Sequence, residues 1–198
     1  MISKPAVNTV FSKMDCVAHP LVNLYCEDDM AKQIIRNLLI KINEERKDFD
    51  KLVNIVKSGA KNNVRDDYER HKRNFNQFQP KKEYCCVFDG DVFLEDEYDK
   101  YKVDPFVFFL YPYNHPERML ISSYLKENPN RQLSSFFEYG DMHQGFAKMV
   151  ELGLAADESD AYSKCWMCFS QSEDYNTLFS QFKTFILNTV EHFTELAD

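Results

Sequence analysis

Three acidic side chains sit directly after apolar runs. Glu27 follows Leu21-Val22-Asn23-Leu24-Tyr25-Cys26, while Asp89 and Asp91 follow Glu83-Tyr84-Cys85-Cys86-Val87-Phe88. A buried apolar strand gains nothing by ending in carboxylates, because each must stay solvated, be paired or hold a cation. In extended geometry Asp89 and Asp91 lean the same way, and Gly90 between them leaves room for a turn and for close approach by a phosphate. Three oxygen donors around one point suit magnesium, a hard ion held by a few carboxylates with its other positions left to water and phosphate oxygens. Such an ion orients a phosphodiester, activates water and stabilises the leaving oxygen. Without a cation the same acids repel one another. Each motif alone is commonplace: Asp-Gly-Asp is a frequent turn, and Glu27-Asp28-Asp29 reads equally as a solvated helix start. A strand before each makes the combination unusual.

The elements that would position these acids alternate along the first 125 residues or so. Strands are expected at 21–26, at Leu52-Val53-Asn54-Ile55-Val56, at 83–88 and at Pro105-Phe106-Val107-Phe108-Phe109-Leu110. Helical spacing links Ile34, Ile35, Leu38, Leu39 and Ile42, and a second helix follows Ser58-Gly59, with Asn62-Asn63 as candidate caps, until Pro80 breaks it. The stretch from Glu95 to Lys102 reads as a solvated excursion. Helical spacing returns around Arg118 to Leu125 and from Phe136 onward, clearest over Tyr175 to Leu196, where Leu178, Phe182, Phe185, Ile186, Thr189, Val190 and Phe193 form one stripe. Strands that are apolar throughout, alternating with helices, predict an α/β fold with a parallel sheet covered on both faces. Functional groups gather beyond the carboxyl ends of such strands, where the acids fall. The expected organisation is an N-terminal arm over 1–20, a catalytic domain over 21–135 and a helical extension over 136–198.

Composition sets the limits. The 198 residues are 44% hydrophobic, 15% aromatic and 28% charged, as in an ordinary globular protein. No apolar run approaches the roughly 20 residues that cross a bilayer. The first seven residues carry neither an apolar core nor a cleavage site, so a cytoplasmic protein without a membrane partner is expected. Six cysteines are then reduced, and Cys165-Trp166-Met167-Cys168, with no second ligand pair and no preceding strand, reads as helix packing. A net charge of −8 is awkward for a nucleic-acid binder. Either one face is basic, as the clusters at Lys57–Lys61 and Arg65–Arg73 allow, or a partner protein supplies the grip.

With these residues in place, the pattern resembles the topoisomerase–primase (TOPRIM) domain, whose hallmark is a Glu after the first strand and an Asp-x-Asp after the third. Ser58-Gly59-Ala60-Lys61-Asn62-Asn63 resembles the turn after the second strand in the overcoming-lysogenization-defect (OLD) nucleases. Tyr111-Pro112-Tyr113-Asn114-His115-Pro116-Glu117 resembles their segment after the fourth strand, in which Glu117 matches a further metal ligand. The resemblance covers about Leu21 to Leu125. It implies a TOPRIM (Rossmann-like) fold and a magnesium-dependent endonuclease acting on DNA, with manganese as the alternative ion, in defence against phage or other foreign DNA. Glu27, Asp89, Asp91 and Glu117 would be the catalytic and metal-binding residues, with Glu27 either a ligand or the general base. Two departures stand out. Where the family carries a second acid four positions after the first Glu, this chain has Ala31, with Asp28 or Asp29 as the substitutes at hand. No GxxxxGK[ST] phosphate loop occurs, so any ATPase is a separate chain.

Lys61 is both a candidate phosphate contact and an ordinary surface lysine. Lys148, Lys164 and Lys183 are equal candidates for the family's C-terminal lysine. His115 is a candidate proton carrier, although a structural histidine before Pro116 is the simpler reading. Asn114 would orient Glu117. His19, His71, His143 and His192 lack ligand spacing, and Ser58 lacks a nucleophile elbow. The alternative functions are a TOPRIM RNase that cuts tRNA when an ATPase sensor releases it, and a non-catalytic docking module for an ATPase. Homo-oligomerisation stays open.

Overall fold

The computed structural model describes residues 20–77, 82–112 and 114–195, without the side chains of Met142 and 193–195. The expected arm therefore lies outside the described residues except at Pro20. Among the described residues four parallel strands form one sheet in the order β2-β1-β3-β4: β1 (Val22–Cys26), β2 (Val53–Lys57), β3 (Glu83–Asp89) and β4 (Val107–Leu110). All four expected strands are present, with ends shifted by one or two residues. Parallel neighbours require crossovers. These are supplied by α1 (Asp29–Asn43) and α2 (Lys61–Asn74), and by two 3₁₀ turns at Gly90–Leu94 and Asp96–Tyr101. Beyond β4 come α3 (Pro116–Glu127), α4 (Arg131–Tyr139), α5 (Gly145–Glu151), α6 (Glu158–Phe169) and α7 (Glu173–Glu195).

β3 is central, and every residue after Glu83 is buried. Its side chains alternate between two cores. Cys85 and Val87 join α1, α3, α6 and α7 on one face, whereas Tyr84, Cys86 and Phe88 join Val64 and Tyr68 of α2 on the other. Burial on both faces accounts for strands that are apolar at every position. The first core runs unbroken from Val22 to Ile186, and the expected boundary at 135 falls inside α4. Cys165 of α6 is buried against Met149 of α5, and Cys168 accepts from Asn128 Nδ2, so both pack within the helical layer.

Two expectations are corrected. The segment from Glu95 to Lys102 exposes Asp96, Glu97, Asp99, Lys100 and Lys102, as expected, but it is anchored by two buried tyrosines rather than solvated throughout. Tyr98 and Tyr101, one 3₁₀ turn apart, are buried against Phe88, and their hydroxyls donate to Asn62 and Glu69 at 2.9 and 2.7 Å. Nor do Asn62 and Asn63 cap α2. The cap position is Ala60, and Asn63 Nδ2 instead ties back to the Ser58 carbonyl at 3.1 Å. Among the described residues no helix is long and apolar enough to cross a membrane.

Candidate functional site

β1 and β3 are paired neighbours, so their carboxyl ends lie side by side. Asp89 closes β3 and Glu27 follows β1. The Asp89 N–H donates to Glu27 Oε1 at 3.0 Å, which locks the two acids together across 62 positions of sequence. Asp89 is 9% exposed, and its Oδ1 is buried without a hydrogen-bond partner. Glu117 arrives from the first turn of α3, where Pro116 starts the helix and the helix dipole favours an acid. It is 6% exposed, and its Oε2 is likewise buried and unpartnered.

The electrostatics follow from this crowding. Burial, then the charges of Glu27, Asp28, Glu117 and Asp91, push Asp89 from 3.8 up to about 9. Burial also pushes Glu27 up to about 7. The Asp89 N–H and the Lys61 charge oppose that rise, while Asp91 and Asp28 add to it. The acids of three separate segments therefore share one field, in which negative charge outweighs that of Lys61.

The Asp-Gly-Asp geometry differs from the expectation. The extended backbone ends at Asp89 and a 3₁₀ turn begins at Gly90, so Asp89 points inward while Asp91 remains half-exposed at the rim. Gly90 does not make room for a phosphate. A Cβ there would stand 2.0 Å from the Tyr111 carbonyl oxygen, 2.3 Å from that of Leu110 and 2.4 Å from that of Asn114. Its bare α-carbon admits the end of β4, where Tyr111 adopts φ +48° and the chain turns toward α3. That tight join brings Glu117 to Asp89.

Two histidines complete the rim. His115 Nδ1 lies 3.6 Å from Asp91 Oδ2, and His143 Nδ1 lies 3.3 Å from Glu117 Oε1, with the two rings 5.2 Å apart, edge to face. Burial lowers the His143 pKa, but the bond to Glu117 and the charges of Glu117, Asp141 and Asp91 outweigh it and raise it above 6.5. Sequence reading missed His143, because the turn before α5, rather than any ligand spacing, brings it across. Lys61 forms an ion pair with Glu95 on the β2–α2 side, close enough to depress Glu27 electrostatically.

Other candidates are engaged elsewhere. Asp28 Oδ1 caps α1 through the Ala31 N–H at 2.8 Å, and Asp29 is paired with Lys57 at 2.7 Å, so neither replaces the acid absent at Ala31. Lys148 pairs with Glu151, Lys164 with Asp160, and Lys183 with Glu45. His71 is a core residue between the Tyr25 hydroxyl and the Lys82 carbonyl, both at 2.9 Å, and His192 packs on Phe106. His19 and Tyr113 lie outside the described residues.

Among the described residues no three His, Cys, Asp or Glu side chains close to a distance at which they would already hold a metal ion. The donor set nevertheless fits a hard cation: two buried carboxylate oxygens lack any partner, and their mutual repulsion is what a divalent ion relieves. No protein-family model, no curated protein and no solved structure matches this chain.

Proposed function

We propose that the chain is a magnesium-dependent phosphodiester hydrolase of the TOPRIM kind, cutting DNA. The observation that carries this reading is the meeting of Glu27, Asp89 and Glu117 at the carboxyl edge of the sheet, where Asp89 and Glu117 each keep one buried oxygen without a partner. Asp89 and Glu117 would hold the ion from below and Asp91 from the rim. When bound, the ion supplies phosphate orientation and stabilisation of the leaving oxygen. Glu27, oriented by the Asp89 N–H, would take a proton from the attacking water. Lys61, held by Glu95, supplies positive charge on the β2–α2 side for a phosphate oxygen. With Asp28 and Asp29 otherwise engaged, one ion per chain is the expected stoichiometry. The choice of DNA, a separate ATPase and a role in defence rest on the resemblance to OLD nucleases.

The test is nicking of supercoiled plasmid with magnesium or manganese by wild type, Asp89→Ala and Asp91→Ala, with purified tRNA assayed alongside and thermal melts to check folding. Folded variants that cut as well as wild type would refute the assignment. Cutting of tRNA alone would move the substrate to RNA. A non-catalytic docking module draws support from Ala31 and from the open spacing of the acids. It differs in showing no magnesium-dependent stabilisation.

A further inference from the structure

The sheet ends on β2, and among the described residues no strand pairs with its outer edge. The inward side is fixed by the Leu52 carbonyl, which accepts from the Leu21 N–H at 2.8 Å, and by the Ser58 N–H, which donates to the Cys26 carbonyl at 2.9 Å. Backbone groups alternate sides along a strand. Asn54 and Val56 therefore also face β1, and Val53, Ile55 and Lys57 face outward. The Val53 N–H is taken by the Asp50 carbonyl. The Val53 carbonyl, both backbone groups of Ile55 and the Lys57 N–H remain, which is what an added strand would use.

Beside this edge, between β2 and α1, runs a groove of about 500 Å³. Its floor is apolar, formed by Leu39, Ile40, Val53 and Ile55, and Ile40 is 51% exposed. Above it stand Lys32 and Arg36, one helical turn apart on α1. Neither has an ion-pair or hydrogen-bond partner among the described residues. That is notable in a chain with 32 acids against 24 Lys and Arg. The groove thus combines open backbone, apolar surface and a net positive lining, Lys32, Arg36 and the Asp48-paired Lys51 against Asp50.

We propose that this groove receives an extended acidic segment of a partner protein, which adds to β2 as a fifth strand. Backbone bonds to Ile55 and Lys57 supply the pairing, and along the one face of the added strand that is turned to α1, apolar side chains cover Ile40 and Ile55 while carboxylates reach Lys32 and Arg36. A nucleic-acid strand would satisfy the cations and could lay bases on the apolar floor, but it has no row of backbone N–H and C=O groups to pair with the open edge. The chain's own residues 1–19 carry Lys4 and Lys13 against Asp15, the wrong sign. A second copy paired edge to edge about a two-fold axis would bring Lys32 and Arg36 toward their own counterparts. The inference stands apart from the hydrolase reading and uses none of its residues.

The test uses the ¹⁵N-labelled full-length chain and a synthetic peptide about ten residues long in which every second residue is serine and the positions between are glutamate and valine in turn, so that both reach the same face. A lysine–valine peptide and single-stranded oligothymidylate serve as comparators. The glutamate peptide should bind, slow amide exchange at Ile55 and Lys57, and lose about tenfold or more in affinity when Lys32→Glu and Arg36→Glu are combined. Binding should also weaken with salt. No binding, equal binding of the lysine peptide, or unchanged exchange at Ile55 and Lys57 would overturn the proposal. So would binding of oligothymidylate in place of the peptide, or amides already protected in a chain that sediments as a dimer.

Discussion

Asp89→Asn should stabilise the metal-free protein at neutral pH and abolish its response to magnesium. The reasoning starts from a carboxyl pushed from 3.8 up to about 9, first by burial and then by Glu27, Asp28, Glu117 and Asp91. A carboxyl whose folded pKa is raised contributes most below its unfolded value, and that stability is lost as pH climbs through the folded value. At pH 7 the folded chain must hold a proton some three units above the ordinary value. At ~1.4 kcal/mol per unit, this costs on the order of 4 kcal/mol relative to the unfolded chain. Asparagine is neutral and nearly isosteric, so it removes that penalty. With roughly 2–4 °C per kcal/mol for a domain of this size, the variant should melt on the order of 10 °C higher. The assay is a thermal melt at pH 5 and pH 8, with chelator or with magnesium. Wild type in chelator should melt lower at pH 8 than at pH 5, since the exposed acids have finished titrating by then, and magnesium should restore the loss. The variant should lose less stability than wild type between pH 5 and pH 8, keeping only the shares of Glu27 and His143, and should be indifferent to magnesium. A wild type that gains stability from pH 5 to pH 8, or a variant less stable than wild type at pH 8, would refute the reasoning.

Other perturbations give distinct signatures. Gly90→Ala forces a Cβ to within 2.0–2.4 Å of three carbonyl oxygens, so denaturant titration should show a loss of about 3 kcal/mol or more. Lys61→Ala removes a half-exposed ion pair with Glu95, so stability should change by less than about 1 kcal/mol while magnesium-dependent nicking falls about tenfold. His143 is 62% exposed and its pKa is raised, so its contribution is complete below pH 6.5 and disappears as pH rises past the folded value. His143→Ala should therefore cost less than about 1 kcal/mol at pH 6 and nothing measurable at pH 9.

The sheet could be read from the sequence because burial on both faces leaves no polar alternation to obscure the strands. Leu24, Val87 and Leu110 are apolar for the same reason that their neighbours are. The ends of β1 and β3 were legible too, since Glu27 and Asp89 interrupt those runs abruptly. What could not be read were positions set by contacts distant in sequence. Tyr98 and Tyr101 lie in an acidic stretch of solvated character, yet their rings fill the space beside Phe88. The role of Gly90 emerges only when β4 is placed against it, and that of His143 only when α5 folds back toward α3. Asp28 and Asp29 look like metal ligands by composition, but cap and ion-pair chemistry claims them locally. Lys32 and Arg36 carry no local signal at all, because their interest lies in the partners they lack.

The central claim is that Asp89, Asp91 and Glu117 share one divalent cation, and a crystal soaked in manganese tests it most directly. An anomalous peak should appear about 2.1–2.3 Å from carboxylate oxygens of Asp89 and Glu117, with Asp91 turned inward to the same ion. Its absence at saturating manganese, with those oxygens bonded only to water or to protein donors, would contradict the account.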